Sequence, residues 1–213
     1  KGVKYLISNL EDSVMTREQI EKINLDKVIE VSLIHPVGKF KFELEGIPEI
    51  DEAKDGIDDE VFNSNINTFH NIVKPLIEQR KTYGAFPLKL MAFGSLSDNY
   101  HVPWWNSYTQ SKLILRQEMR ELAKKVPLVK SVFINLCSVN TSNENKTRPY
   151  ANTKYWLSTQ EVVAKSVQLS NTKQSYLEID LFNPSPEYHK DYYRNFDELK
   201  KKWLREMNGI KIK

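Results

Sequence analysis

Apolar residues recur along this chain with two alternating periods. Within 58–79, Val61, Ile66, Phe69, Ile72, Val73, Leu76 and Ile77 fall at helical spacing, so one face of a long helix can bury against a sheet. Residues 108–125 repeat that pattern as a second long helix. Between and after them, 86–93 and 129–136 are short, nearly continuous apolar runs of strand length, the first ending at Gly94-Ser95. A β-branched run at 27–34 is halted by His35-Pro36-Val37-Gly38, and 3–8 is another β-rich run followed by helix formers at 16–23. At 158–169 the sequence predicts a helix with Ser158 as N-cap and Glu161 completing a capping box. A strand over 175–182 and a helical stretch over 196–207, within an aromatic and basic tail, close the pattern. Residues 39–56 alternate weakly and then turn acidic, which predicts a surface connection with a short hairpin. Strands alternating with helices of this length predict an α/β layered sandwich around a mainly parallel sheet.

Composition narrows the picture. A chain of 213 residues with 40% hydrophobic and 11% aromatic side chains can bury one substantial core and is not a disordered polymer. The net charge of +3 comes from 31 basic and 28 acidic residues interspersed over the length, so no field points to nucleic acid. One cysteine, Cys137, allows no internal disulfide; with no 18-residue apolar stretch and no signal-peptide pattern, a cytoplasmic or cytoplasm-facing location is expected. The four histidines stand far apart, and no metal is expected. The basic run at 200–205 reads first as a solvated helix face, with peripheral contact to an anionic membrane surface as the open alternative.

Candidate chemistry rests on tyrosine. Tyr108 and Lys112 stand four apart at the start of a helix and therefore share a face, where an ammonium beside a phenol favours phenolate. Tyr150 and Lys154 have the same spacing, so spacing alone does not choose. Ser95 stands thirteen residues before Tyr108 at a predicted strand end, and Asn65 lies in the preceding long helix; the rival pair has Cys137 at that interval and no such helix. With Tyr108-Thr-Gln-Ser-Lys112 and the later Val139 and Thr141, these residues resemble the short-chain dehydrogenases/reductases.

The resemblance spans about 3–182. It implies a Rossmann-like, doubly wound, three-layer α/β/α fold in one domain over 1–213, divided into a remnant cofactor half (1–56), a catalytic half (57–182) and a helical tail (183–213). It further implies an NAD(P)-dependent oxidoreductase interconverting a carbonyl and a secondary alcohol, with NAD or NADP as cofactor. Tyr108 would move the proton, Ser95 would hydrogen-bond the substrate oxygen, Lys112 would lower the Tyr108 pKa and hold the nicotinamide ribose, and Asn65 would anchor a water relay. Val139 and Thr141 would lie near the cofactor carboxamide and Asn9 near its adenine. Trp104, Trp105 and Tyr150 would meet the substrate, adjacent tryptophans in a loop serving equally as a packing lid. The two long helices would supply a homo-oligomer or partner interface.

The family's Gly-x-x-x-Gly-x-Gly, which brings backbone amides to the cofactor pyrophosphate, does not occur in the sequence. The resemblance therefore implies that the first two strands are absent and that the natural polypeptide extends upstream by roughly 40 to 70 residues. The alternative is a catalytically inactive relative serving as a structural subunit or binding module through its exposed sheet edge.

Overall fold

The computed structural model describes residues 9–25, 28–43, 57–185 and 192–209. Helix α1 (Ser13–Glu21), capped by Asp12 accepting from the Met15 N–H, leads to strand β1 (Val31–Ile34). A short helix α2 (Asp59–Phe62) runs through a π-helical turn (Asn63–Asn67) into α3 (Thr68–Tyr83). Strand β2 (Leu88–Ser95) and two 3-10 turns precede α4 (Asn106–Lys125). Then come β3 (Val129–Leu136), β4 (Val139–Asn140), α5 (Ser142–Thr147), β5 (Leu157–Ser158), α6 (Thr159–Ser170), β6 (Tyr176–Leu181) and α7 (Phe196–Asn208).

β1, β2, β3 and β6 form one parallel sheet in that order, and β4 pairs with β5 in a separate two-residue ladder. The period of two along each strand splits the core. Leu88, Leu90 and Ala92 of β2 and Val129 and Phe133 of β3 face α1, α3 and α4, where they meet Ile20, Phe69, Val73, Leu115 and Met119. Met91, Phe93, Val132, Ile134 and Leu136 point to the opposite face, which α6 covers with Val162 and Leu169. Helices on both faces of a parallel sheet make the three-layer α/β/α arrangement.

Several sequence expectations acquire sharper bounds. β3 spans 129–136 as predicted, and α6 carries the expected reciprocal box, Ser158 accepting from the Glu161 N–H at 3.1 Å while Glu161 accepts from the Ser158 N–H at 2.7 Å. The run at 27–34 yields a strand only from Val31, residues 28–30 being irregular. The helix expected over 58–79 is interrupted by the π turn that holds Asn65. No strand occurs over 39–43, and the rest of the expected hairpin, like the run at 3–8, lies outside the described residues.

Candidate active site

The C-terminal ends of β1, β2 and β3 open into a cavity of about 370 Å³, at the end where parallel α/β sheets bind ligands. Val37 and Gly38 after β1, Gly94 and Ser95 on β2, and Leu136, Cys137, Ser138 and Val139 after β3 line it along the sheet. Tyr108 reaches it from the first turn of α4, and Thr141, Asn143 and Glu144 from α5 and its N-cap. Phe40, Trp105, Tyr193 and Trp203 close the aromatic wall.

Ser95 is held from behind. Gly94 lets the strand end pack tightly, since a Cβ there would stand 2.8 Å from Asn135 Oδ1 and 2.9 Å from Asp98 Oδ2. The Ser95 N–H donates to Asp98 Oδ2 at 2.8 Å, and Ser95 Oγ accepts from the Ser97 N–H at 3.2 Å, so Ser95 and Asp98 cap the 3-10 turn reciprocally. Asp98 is fully buried, and burial pushes its carboxyl up to about 7 against the pull of the Ser95 N–H, Arg116 and Lys112. Arg116 stands 3.5 Å from Asp98 and donates to Asn99 Oδ1 at 2.8 Å and Asn135 Oδ1 at 3.0 Å, anchoring the turn to β3.

Tyr108 and Lys112 do share a face, the ammonium lying 5.3 Å from the phenol ring centroid. Both are almost wholly buried, with Phe40 packed edge-on against Tyr108 at 5.3 Å. Burial dominates their chemistry. It pushes the Tyr108 phenol well above its ordinary range, aided by the negative charges of Asp98 and Glu144, and lowers Lys112 to about 8 against the pull of Asp98. The expected depression of the Tyr108 pKa by Lys112 is therefore corrected: desolvation outweighs a cation that lies over the ring. Lys112 Nζ donates to the Val37 carbonyl, which ties α4 to the loop after β1.

Asn65 pins the same loop. Its Oδ1 accepts from the Lys39 N–H at 2.7 Å, and its Nδ2 donates to the Lys39 carbonyl at 3.1 Å and to Ser111 Oγ at 2.8 Å. Ser111 in turn donates to the Tyr108 carbonyl at 2.7 Å. Gly38, at φ 81°, has no room for a Cβ, which would run into Asn65 Oδ1. His35, at the base of this loop, is buried. Thr68 Oγ1 gives its own proton to the Ser64 carbonyl, so it accepts from His35 Nε2–H at 2.9 Å. Burial and the nearby Lys112 charge lower His35 to about 4, leaving it neutral.

The outer wall is fastened by Arg148. It donates through Nε at 2.9 Å to Glu206 of α7, and from one terminal nitrogen to Ser138 Oγ at 2.6 Å and Glu144 at 2.9 Å. Its guanidinium lies 4.1 Å over the Trp203 ring. α7 thereby becomes part of the cavity.

Of the residues singled out in the sequence, Ser95, Tyr108, Trp105, Val139 and Thr141 line the cavity, and Lys112 and Asn65 are buried against it. Trp104 lies elsewhere, its Nε1–H donating to the Phe196 carbonyl at 3.0 Å with Lys200 over its ring. Tyr150 is 66% exposed, next to Gly209, and away from the cavity lining. Asn9 makes local turn contacts before α1, accepting from the Glu11 N–H at 3.2 Å. Phe40, Glu144, Tyr193, Trp203 and Arg148 escaped the sequence reading; the aromatic tail was the one signal, and it could have pointed to Tyr193 and Trp203. Among the described residues no group of three or more acidic, histidine or cysteine side chains could hold a metal, and no helix is long and apolar enough to cross a membrane.

No family model and no curated protein matches the sequence. Solved structures do match in fold. An alcohol dehydrogenase from the archaeon Thermococcus sibiricus, complexed with 5-hydroxy-NADP, is 18% identical at a TM-score of 0.62, with 85% of this chain and 75% of that chain covered. A 3-ketoacyl-(acyl-carrier-protein) reductase from Brucella melitensis, complexed with NADH, is 13% identical at 0.57, covering 82% and 75%. Serine dehydrogenase from Escherichia coli is 9% identical at 0.58, covering 82% and 73%. The parallel sheet β1-β2-β3-β6 with helices on both faces, together with the match in fold to these structures, gives this chain the fold of the short-chain dehydrogenases/reductases in divergent form.

Proposed function

We propose that this protein is an NAD(P)-dependent oxidoreductase of the short-chain type that interconverts a carbonyl and a secondary alcohol. The observation that carries this reading is the convergence of the Ser95 and Tyr108 side chains on one cavity at the strand ends, with the Lys112 ammonium beside the Tyr108 ring. The names of structures that share its fold, dehydrogenases and reductases with bound nicotinamide dinucleotides, support it.

The residues present fit the nicotinamide end of such a cofactor. Val139 and Thr141 line the cavity and would neighbour the carboxamide, while Lys112, buried behind the lining with one hydrogen given to the Val37 carbonyl, would hold the ribose hydroxyls once the loop after β1 moved aside. A bound nicotinamide dinucleotide supplies or takes up the hydride. Tyr108 donates the proton to the carbonyl oxygen, and Ser95 hydrogen-bonds that oxygen as negative charge develops. Burial holds the Tyr108 phenol well above its ordinary pKa and so makes it a weaker acid in this ligand-free state; proton donation at neutral pH then depends on charge or hydrogen bonds that the bound cofactor and substrate bring. Asn65 acts by position, fixing the loop after β1 through Lys39 and the first turn of α4 through Ser111.

The single buried cysteine suits the expected cytoplasmic or cytoplasm-facing location. Pairing of α3 and α4 with a second copy also belongs to this reading, since Phe69, Val73, Ile77, Leu122 and Val126 line an apolar groove between them. Light scattering at twice the chain mass is the expected result. An inactive, binding-only role is the second reading; the depth at which Tyr108 is buried favours it.

Fluorescence titration of the full natural polypeptide with NADH and NADPH, followed by turnover of a ketone panel, separates the two. Saturable binding with turnover is expected. No binding of either dinucleotide overturns the enzyme reading.

A further inference from the structure

The hydroxyl of Ser95 is part of a chain of hydrogen bonds that reaches back into the core. Ser95 Oγ and Ser97 Oγ are 2.8 Å apart, and Trp105 Nε1 stands 3.1 Å from Ser97 Oγ. The indole nitrogen is only a donor, so Ser97 Oγ accepts there. Which serine donates across the 2.8 Å contact follows from where each proton can go. If Ser95 donated, Ser97 would accept twice, and its own proton would be left with no acceptor among the described residues at a side chain only 3% exposed. A buried hydroxyl proton without an acceptor loses its water partner and gains none, so this arrangement is disfavoured. If Ser97 donates, Ser95 Oγ receives both the Ser97 N–H and the Ser97 O–H, its lone pairs are filled, and its own proton is free to point into the cavity that it lines.

We infer that Trp105 and Ser97 form a directed relay, Trp105 Nε1–H to Ser97 Oγ–H to Ser95 Oγ–H, that commits Ser95 to donating a hydrogen bond to the substrate oxygen. Trp105 then serves the site through its N–H, in addition to its ring on the cavity wall. Each donation polarises the next, so the terminal hydroxyl is a stronger donor than an isolated serine. Both are positioning residues, and the inference rests on the oxidoreductase reading.

Two substitutions cut the chain without removing its supports. Ser97→Ala keeps the backbone N–H that bonds Ser95 Oγ, and Trp105→Phe keeps an aromatic ring in the wall. The carbonyl-stretch frequency of bound acetophenone, read by infrared difference spectroscopy, reports hydrogen-bond donation directly and needs no hydride transfer. The wild type is expected to lower that frequency relative to water-free solvent. Each variant should recover a large part of the shift, the double variant should recover no more than Ser97→Ala alone, and Ser97→Thr, which restores a hydroxyl, should behave as wild type. In ligand-free protein, the Trp105 indole N–H resonance should move upfield in Ser97→Ala. Turnover should fall about five- to tenfold in each single variant, in kcat more than in KM. An equal carbonyl shift in the wild type, Ser97→Ala and Trp105→Phe overturns the relay while leaving the oxidoreductase reading intact. Additive losses in the double variant also overturn it. No shift in the wild type overturns the oxidoreductase reading, and the relay with it.

Discussion

The two sides of the cavity are built on different principles. On the Ser95 side, hydrogen bonds hold the site from behind: Asp98 takes the Ser95 N–H, Ser97 fills the Ser95 oxygen, and Arg116 links the turn to β3. On the Tyr108 side, a phenol and an ammonium are packed among aromatic rings, and the ammonium's link to the protein is a backbone carbonyl. Hydrogen bonds hold Ser95 in place, whereas burial raises the pKa of Tyr108 and lowers that of Lys112. Geometry sets the Ser95 side of the cavity and desolvation the Tyr108 side.

Substitutions can break that contrast from either side. Apart from Tyr108 itself, the largest effect is expected at Lys112. Lys112→Met keeps the stem packed and removes a charge that burial disfavours, so turnover should fall by about a hundredfold or more while the melting temperature at pH 7 holds or rises. The gain should shrink as pH rises from about 8 toward 10.5, because the wild-type lysine sheds its proton there in the folded state first. A parallel loss of activity and stability would mean that Lys112 is a structural strut. Next is the loop that Lys112 and Asn65 hold. Gly38→Ala must place a Cβ against Asn65 Oδ1 at positive φ, at a cost of about 1–3 kcal/mol, measurable by urea denaturation. An unchanged midpoint would show that this loop yields easily.

A third effect, seen as a pH dependence and not as a loss at one pH, concerns Asp98. Its pKa is raised from the ordinary 3.8 to about 7, so the folded protein retains a proton that the unfolded chain has lost over that interval. The stabilisation is full below about pH 4 and is lost as pH rises through about 7. Asp98→Asn can still accept from the Ser95 N–H but does not titrate. Its melting temperature relative to wild type should therefore climb between pH 4 and 7.5, and a constant difference across that range would place the proton elsewhere.

Much of this organisation is visible in the sequence because its causes are local. The nearly continuous apolar run over 129–136, the helical period of 108–125 and the Ser158–Glu161 box each act within a few residues, and each appears in the structure near its predicted bounds. The Ser95 to Tyr108 interval is legible because a strand end, a turn and a helix start have limited lengths. The π turn around Asn65 is not legible, since it depends on how that side chain bonds Lys39 and Ser111 from other elements. Trp203, Glu144 and Arg148 come together only when α7 folds back over α5, across long separations in sequence. The upward pKa of Tyr108 escaped for the same reason: Lys112 is four residues away, but the surroundings that desolvate both are assembled from distant segments.

The central claim, that Tyr108 is the proton donor of a carbonyl-reducing site, is tested most directly by comparing kcat for Tyr108→Phe and Tyr150→Phe in the full natural polypeptide, with melting temperatures as the control for folding. Loss of the buried phenol hydroxyl should lower kcat by about a hundred- to ten-thousandfold with little change in melting temperature, while the 66% exposed Tyr150 should be nearly silent. Equal small losses in the two variants, or a collapse confined to Tyr150→Phe, would contradict the account.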